Sequence, residues 1–375
     1  MGRRIFILIL LAAILLFVSI AFLFGNAVQR KDSLPKIEPT IKTGDKSRIE
    51  IPRVSIIASD LEIPWGLAFL PDGSILFTER PGQVRMIDIK GNFLPSPVAN
   101  ILEVKHIGEG GLLGIAIHPS FKNNKHIYLY YTYSSTGNNT LNRVARFNFE
   151  NGTLVHEQVI VDAIPGAINH NGGRIKFGPD NFLYITTGDA QNPSLAQDVN
   201  SLAGKILRVT DEGKPASDNP FDNLVYSYGH RNPQGFTWDN NGRLWATEHG
   251  PQARDELNLI EKGANYGWPV ITGNEEREGM KKPVFQSGDS TWAPAGLAFV
   301  NDSLFFGGLR GQALYETKTT NNPSIKEHFK GEFGRIREVI VGLDNMLYIT
   351  TSNRDGRGTP NANDDKVIRV NPSKL

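Results

Sequence analysis

The sequence predicts an all-β fold, a six-bladed β-propeller preceded by an N-terminal transmembrane or signal helix. One phrase recurs six times: an apolar run, a turn rich in Pro, Asp, Asn and Gly, and a second apolar run. The copies start roughly 40 to 60 residues apart, which is the spacing of propeller blades. The leading helix rests on a separate observation, the apolar stretch Ile5 to Phe24 behind the basic pair Arg3-Arg4.

Taken in order, residues 1–27 come first. About 20 apolar residues suffice to span a bilayer, and a cleaved signal peptide has a shorter apolar core. The segment therefore predicts a membrane anchor or signal peptide with Arg3 and Arg4 on the cytoplasmic side. The remainder is then exported, to the periplasm or another extracytoplasmic space, and tethered to the membrane if the helix is uncleaved. Residues 28–52 are rich in Lys, Asp, Glu, Pro and Ser and read as a solvated linker. Residues 53–375 hold the propeller. Its six hairpins begin at Gly66, Gly114, Gly173, Gly235, Gly296 and Glu338. In each, Val, Ile, Leu, Phe and Tyr flank a tight turn, the signature of paired strands. Six such units close radially, which removes free sheet edges.

Composition excludes several classes. The chain has 375 residues and a formal net charge of +1, so no bulk field favours nucleic acid. It has no cysteine, which rules out disulfides and thiolate metal sites. Phosphate-cradling and dinucleotide-binding glycine loops, nucleophile elbows and zinc motifs are missing where their context demands them.

Ring closure makes a geometric prediction. In an antiparallel hairpin the entry to the first strand lies beside the exit of the second. All six such ends then gather at one mouth of the central channel. Glu109, His170, Arg231, Asn232, Arg335 and Arg337 sit at strand entries; Asp189, His249-Gly250-Pro251 and Arg310 sit at exits.

The chemistry of these residues follows from their types. Asp189 beside His170 can orient the imidazole and raise its basicity, the arrangement of a general base. Arg335 and Arg337 alternate along a strand and share a face, which is unfavourable unless an anion lies between them. With Arg231 and Arg310 they imply a multiply charged planar anion, because guanidinium binds carboxylate bidentately. The alternative is a set of separate ion pairs with rim carboxylates such as Glu109 or Glu332. Carbonyls of Gly250 and Pro251 suit a hard cation such as Ca²⁺, and Asp255, Glu256 and Tyr266 can add oxygens to it or to a second ion.

Several stretches together resemble the soluble quinoprotein aldose (glucose/sorbosone) dehydrogenases. They are Gly108-Glu109-Gly110-Gly111-Leu112-Leu113-Gly114, His170-Asn171-Gly172-Gly173-Arg174, Gly229-His230-Arg231-Asn232-Pro233-Gln234-Gly235, Glu248-His249-Gly250-Pro251 and Gly263-Ala264-Asn265-Tyr266-Gly267-Trp268-Pro269. The resemblance runs from about Ile57 to Val370 and implies a six-bladed propeller that uses pyrroloquinoline quinone (PQQ) and Ca²⁺. It implies that an aldose is oxidised at C1 to a lactone by hydride transfer to the quinone. His170 is then the base and Asp189 its support. Glu109, Arg231, Asn232, Arg310, Arg335 and Arg337 fall where the family holds PQQ. Carbonyls of Gly250 and Pro251 match the catalytic Ca²⁺ ligands, and Glu256 with Tyr266 a further calcium pair. Electrons then pass to an acceptor in the exported compartment. Arg310 stands where glucose-oxidising members carry Lys, Pro294 where they carry Thr, and Glu109 where some carry Gln. A non-catalytic extracellular propeller and a calcium-dependent lactonase-type hydrolase are the alternative readings.

Overall fold

The computed structural model describes residues 50–136, 139–319 and 324–375. Each copy of the repeat becomes the inner antiparallel hairpin of a four-stranded sheet, and the described residues form six such sheets. The inner hairpins are Pro64–Phe69 with Ile75–Glu79, Leu112–Ile117 with His126–Ser134, and Ile175–Phe177 with Leu183–Thr187. They continue with Pro233–Trp238 and Leu244–Glu248, Pro294–Val300 and Ser303–Gly308, and Ile336–Val341 and Leu347–Thr351. We number the blades 1 to 6 in that order. Blade 6 is completed by Val367–Val370 and, at its outer edge, by Val54–Ala58 from the start of the domain. This pairing closes the ring between the two ends of the propeller chain.

The glycine that opens most copies has a packing reason. A Cβ on Gly114 would lie 2.3 Å from the Gly173 carbonyl of the next blade. On Gly235 it would lie 2.1 Å from the Ala295 carbonyl. Only glycine lets consecutive inner strands approach this closely. A threonine on the second strand then ties blade to blade. Thr78 donates to the Leu113 carbonyl at 2.6 Å, Thr247 to Ala295 at 2.8 Å and Thr350 to Pro64 at 3.1 Å. The repeat is therefore a record of blade packing as well as of strand pairing.

Apolar side chains fill the wedges between blades; Trp65, Leu113, Tyr130 and Ile175, for example, pack across blades 1 to 3. Polar groups plug the channel axis. Arg174 and Glu338, both fully buried, form an ion pair. The Arg174 guanidinium lies 4.1 Å from the Trp65 ring centroid, and Arg337 lies 5.8 Å from it. Breaking a buried pair leaves one charge uncompensated, so Glu338→Gln is expected to cost about 3 kcal/mol or more in chemical denaturation.

One expectation is corrected. The described residues form the propeller alone, and no helix among them is long and apolar enough to cross a membrane. The stretch expected to form one, within residues 1–27, lies outside the described residues, as does most of the 28–52 linker. The membrane partner and the tethered extracytoplasmic placement rested on that helix and are withdrawn with it.

Candidate active site

Entry and exit loops meet at one mouth of the channel around a cavity of about 560 Å³. Glu109, His170, Arg231 and Arg335 reach it from strand entries. Gly250, Pro251 and Arg310 reach it from strand exits.

His170 sits ahead of blade 3 with φ +63°, a left-handed conformation that a histidine rarely adopts. Two contacts hold it there. Its N–H donates to Glu109 Oε2 at 3.0 Å, and its Nδ1 meets Asp189 Oδ1 at 2.7 Å. Asp189 is fully buried and also accepts from Gln191 N–H at 2.9 Å and Trp268 Nε1–H at 2.8 Å. A carboxylate receiving these donors takes the Nδ1 proton as a hydrogen bond. The tautomer that results leaves the lone pair on Nε2.

Trp268 links this pair to the arginines, since the Arg231 guanidinium lies 5.3 Å from its ring centroid. Trp268→Phe keeps an aromatic ring, though a smaller one, and removes the N–H. In an assay of sugar oxidation it is expected to lower kcat about tenfold, the worth of one hydrogen bond to a charged group, with KM little changed.

The arginines do not form one simple ring. Arg231 and Arg335 are largely buried in the wall, and Arg310 is exposed at the rim. Arg337 is fully buried behind the lining, with Nη1 on Gln234 Oε1 at 2.6 Å. Burial lowers its guanidinium to about 9, against the pull of Asp355, so it stays cationic at neutral pH. The anion expected between Arg335 and Arg337 is partly the protein's own. Asp355 Oδ2 accepts from Arg335 at 2.7 Å and lies 3.7 Å from Arg337 Nη2. Arg231 and Arg310 make no ion pair among the described residues.

Several donors nevertheless remain unspent. The buried Nε of Arg231, Nε of Arg337 and Nδ2 of Asn232 have no hydrogen-bond partner. The other end of Asn232 is fixed, its Oδ1 accepting from Gly172 N–H at 3.0 Å. Buried donors are seldom left idle, and of these three Arg231 lines the cavity, where its free Nε fits an anionic ligand.

The Gly250-Pro251 turn is built around Asp255. Its Oδ1 accepts from Gly250 N–H at 2.9 Å, and its Oδ2 from Trp292 N–H at 2.6 Å and Ala293 N–H at 2.8 Å. A Cβ on Gly250 would lie 2.0 Å from the Ala253 carbonyl. The carbonyls of Gly250 and Pro251 accept no hydrogen bond among the described residues and stand on a cavity wall. They are suitable ligands for a hard cation.

Glu256 and Tyr266 lie behind this wall rather than on it. Glu256 pairs across the strands with Glu248, and burial followed by that neighbouring charge raises its carboxyl to about 8. Its oxygens accept from Asn258 Nδ2 and Gly273 N–H at 3.1 Å each. The Tyr266 hydroxyl is committed to the Leu259 carbonyl at 2.6 Å and the Glu261 N–H at 2.8 Å. Only the Tyr266 backbone carbonyl is left for a cation.

Sequence reasoning missed Arg80, Asn169, Asp355, Arg357 and the role of Trp268. Arg80 donates from Nε to His106 at 3.1 Å and from Nη2 to the Asp355 carbonyl at 3.4 Å. Arg357, in the loop 354–365, lines the cavity.

The glucose/sorbosone dehydrogenase family matches residues 61–360, most of the propeller. The chain belongs to that family. The enzyme is 33% identical over 343 residues to the aldose sugar dehydrogenase YliI of Escherichia coli, covering 81% of this chain and 91% of that one. Its fold matches the PQQ-bound form of the Streptomyces coelicolor aldose sugar dehydrogenase at TM-score 0.80 and 38% identity, over 85% of this chain and 99% of that chain. A putative oxidoreductase (glucose dehydrogenase) of Thermus thermophilus is 43% identical over the same shares, again at TM-score 0.80. Family and fold make the enzyme an oxidoreductase of the quinoprotein aldose dehydrogenase type.

Proposed function

We propose that the enzyme oxidises aldoses at C1 in the cavity lined by His170, Arg231, Arg310 and Arg335, with PQQ and Ca²⁺ as cofactors. One observation carries the reading. An imidazole locked at Nδ1 by a buried carboxylate faces the same cavity as Arg231, Arg310 and Arg335, and the buried Nε of Arg231 is left without a partner. PQQ is a planar tricarboxylate, and those donors are of the kind that would hold it. The Gly250 and Pro251 carbonyls would hold Ca²⁺ beside it.

When bound, PQQ supplies the two-electron acceptor and Ca²⁺ the Lewis acidity. His170 Nε2 takes the proton of the anomeric hydroxyl as the C1–H bond is broken. Asp189 keeps the ring in the required tautomer and stabilises the imidazolium that forms. Asn232 and Glu109 hold the backbone on either side of His170, through Gly172 and through His170 itself. The base therefore meets its substrate without first reorganising.

A calcium-dependent hydrolase would need a cluster of acidic or histidine ligands. Among the described residues no group of three or more such side chains is placed to hold a metal. A binding module would have no use for a base oriented in this way. Reconstitution tests the proposal: apoprotein is mixed with PQQ and Ca²⁺, and the quinone absorbance is followed as aldoses are added. Bleaching is expected with at least one sugar; an unchanged spectrum across a broad aldose panel would reject the activity.

A further inference from the structure

Glu109 is a carboxylate in a cavity whose remaining chemistry favours an anion. Arg357 answers that conflict from blade 6, on the other side of blade 1. It lies in the loop after the second strand of blade 6, and Glu109 lies ahead of blade 2. Nη1 of Arg357 meets Glu109 Oε1 at 2.5 Å, and Nη2 donates to Asn169 Oδ1 at 2.6 Å. All three residues line the cavity. Glu109 spends its other oxygen on the His170 N–H, so one carboxylate joins the backbone of the base to a cation 248 positions away.

The loop that carries Arg357 is itself tied to the arginine wall. The Arg357 N–H donates to Asp355 Oδ1 at 2.9 Å, and Asp355 Oδ2 holds Arg335. Burial alone would raise the Glu109 carboxyl. The nearby His249, the His170 N–H and Arg357 outweigh it and hold the group at about 2, so it is ionised at any working pH.

We infer that Arg357 is a charge-compensating positioning residue, which cancels Glu109 so that this carboxylate can fix His170 without repelling a bound polyanion. The inference rests on the cavity holding PQQ, as proposed above. It assigns Arg357 a role distinct from that of Arg231 or Arg335, because its guanidinium is directed to the protein's own carboxylate.

The two side chains should then have opposite effects on the cofactor when changed singly and nearly none when changed together. Arg357→Gln leaves Glu109 uncompensated. PQQ affinity should fall about tenfold at low salt and less at high salt, since the Arg357 side chain is 54% exposed and screening reaches it. Glu109→Gln keeps an oxygen for the His170 N–H but removes the charge, so PQQ affinity should hold or rise. In the double variant the affinity should return to within about twofold of the parent, the signature of a coupled pair.

The measurement is fluorescence-quenching titration of the Ca²⁺-loaded apoproteins with PQQ at two ionic strengths. Restoration in the double variant supports the inference. An unchanged Arg357→Gln affinity, or a loss that the double variant fails to recover, overturns it and leaves Arg357 a plain surface contact. If the parent protein itself does not bind PQQ, the functional reading falls first and the inference falls with it.

Discussion

Replacing His170 by alanine is expected to lower kcat for aldose oxidation by about a thousandfold or more, the usual worth of a positioned base. PQQ affinity should stay within about threefold, because the donors assigned to the cofactor lie on other residues. The reason is structural. Asp189 and Glu109 hold the imidazole and its backbone, while Arg231, Asn232 and Arg337 carry the unspent donors. Steady-state kinetics beside a PQQ titration separate the two quantities. Normal turnover by the variant would remove His170 from the reaction, and a matching collapse of PQQ binding would make it a structural residue.

Arg231→Ala should show the reverse pattern. Arg231 lines the cavity, stacks near Trp268 and keeps a buried Nε without a partner. Its loss should weaken PQQ binding about a hundredfold, as expected for a charge-assisted, bidentate contact in a partly buried site. Arg231→Lys should recover only part of that, because an ammonium keeps the charge but not the planar fork. Once loaded at saturating PQQ, either variant should approach parental kcat. A full rescue by lysine would indicate that charge alone matters at this position.

The six hairpins were legible in the sequence because strand pairing and blade packing impose the same short pattern in every copy. Glycine recurs where inner strands touch, and apolar runs flank the turns. His170 with Asp189 was legible for the same reason, since a hairpin places its entry and exit side by side. Arg335 and Arg337 were legible as a pair, but their counter-ion was not. Asp355 lies in an irregular loop, and no periodicity relates it to the strand it neutralises. Arg357 and Glu109 are separated along the chain by nearly the whole ring, so only its closure reveals that one cancels the other. Trp268 belongs to a recognisable stretch, yet its hydrogen bond to Asp189 depends on how the loop between the third and fourth strands of blade 4 folds back across blade 3.

This mixture of signs refines the electrostatic picture. The mouth is a lattice of arginines interleaved with Glu109, Asp189, Asp255 and Asp355, and the unspent donors define what is left for a ligand. Asp255 is turned to three backbone N–H groups and so shapes the Gly250-Pro251 turn from behind.

The most direct test is a crystal structure of the protein soaked with PQQ and Ca²⁺. The account predicts quinone density in the cavity beside His170, its carboxylates on Arg231 and Arg335, with a cation on the Gly250 and Pro251 carbonyls. Density for the quinone at any other place on the propeller, or a cation held away from those carbonyls, would contradict it.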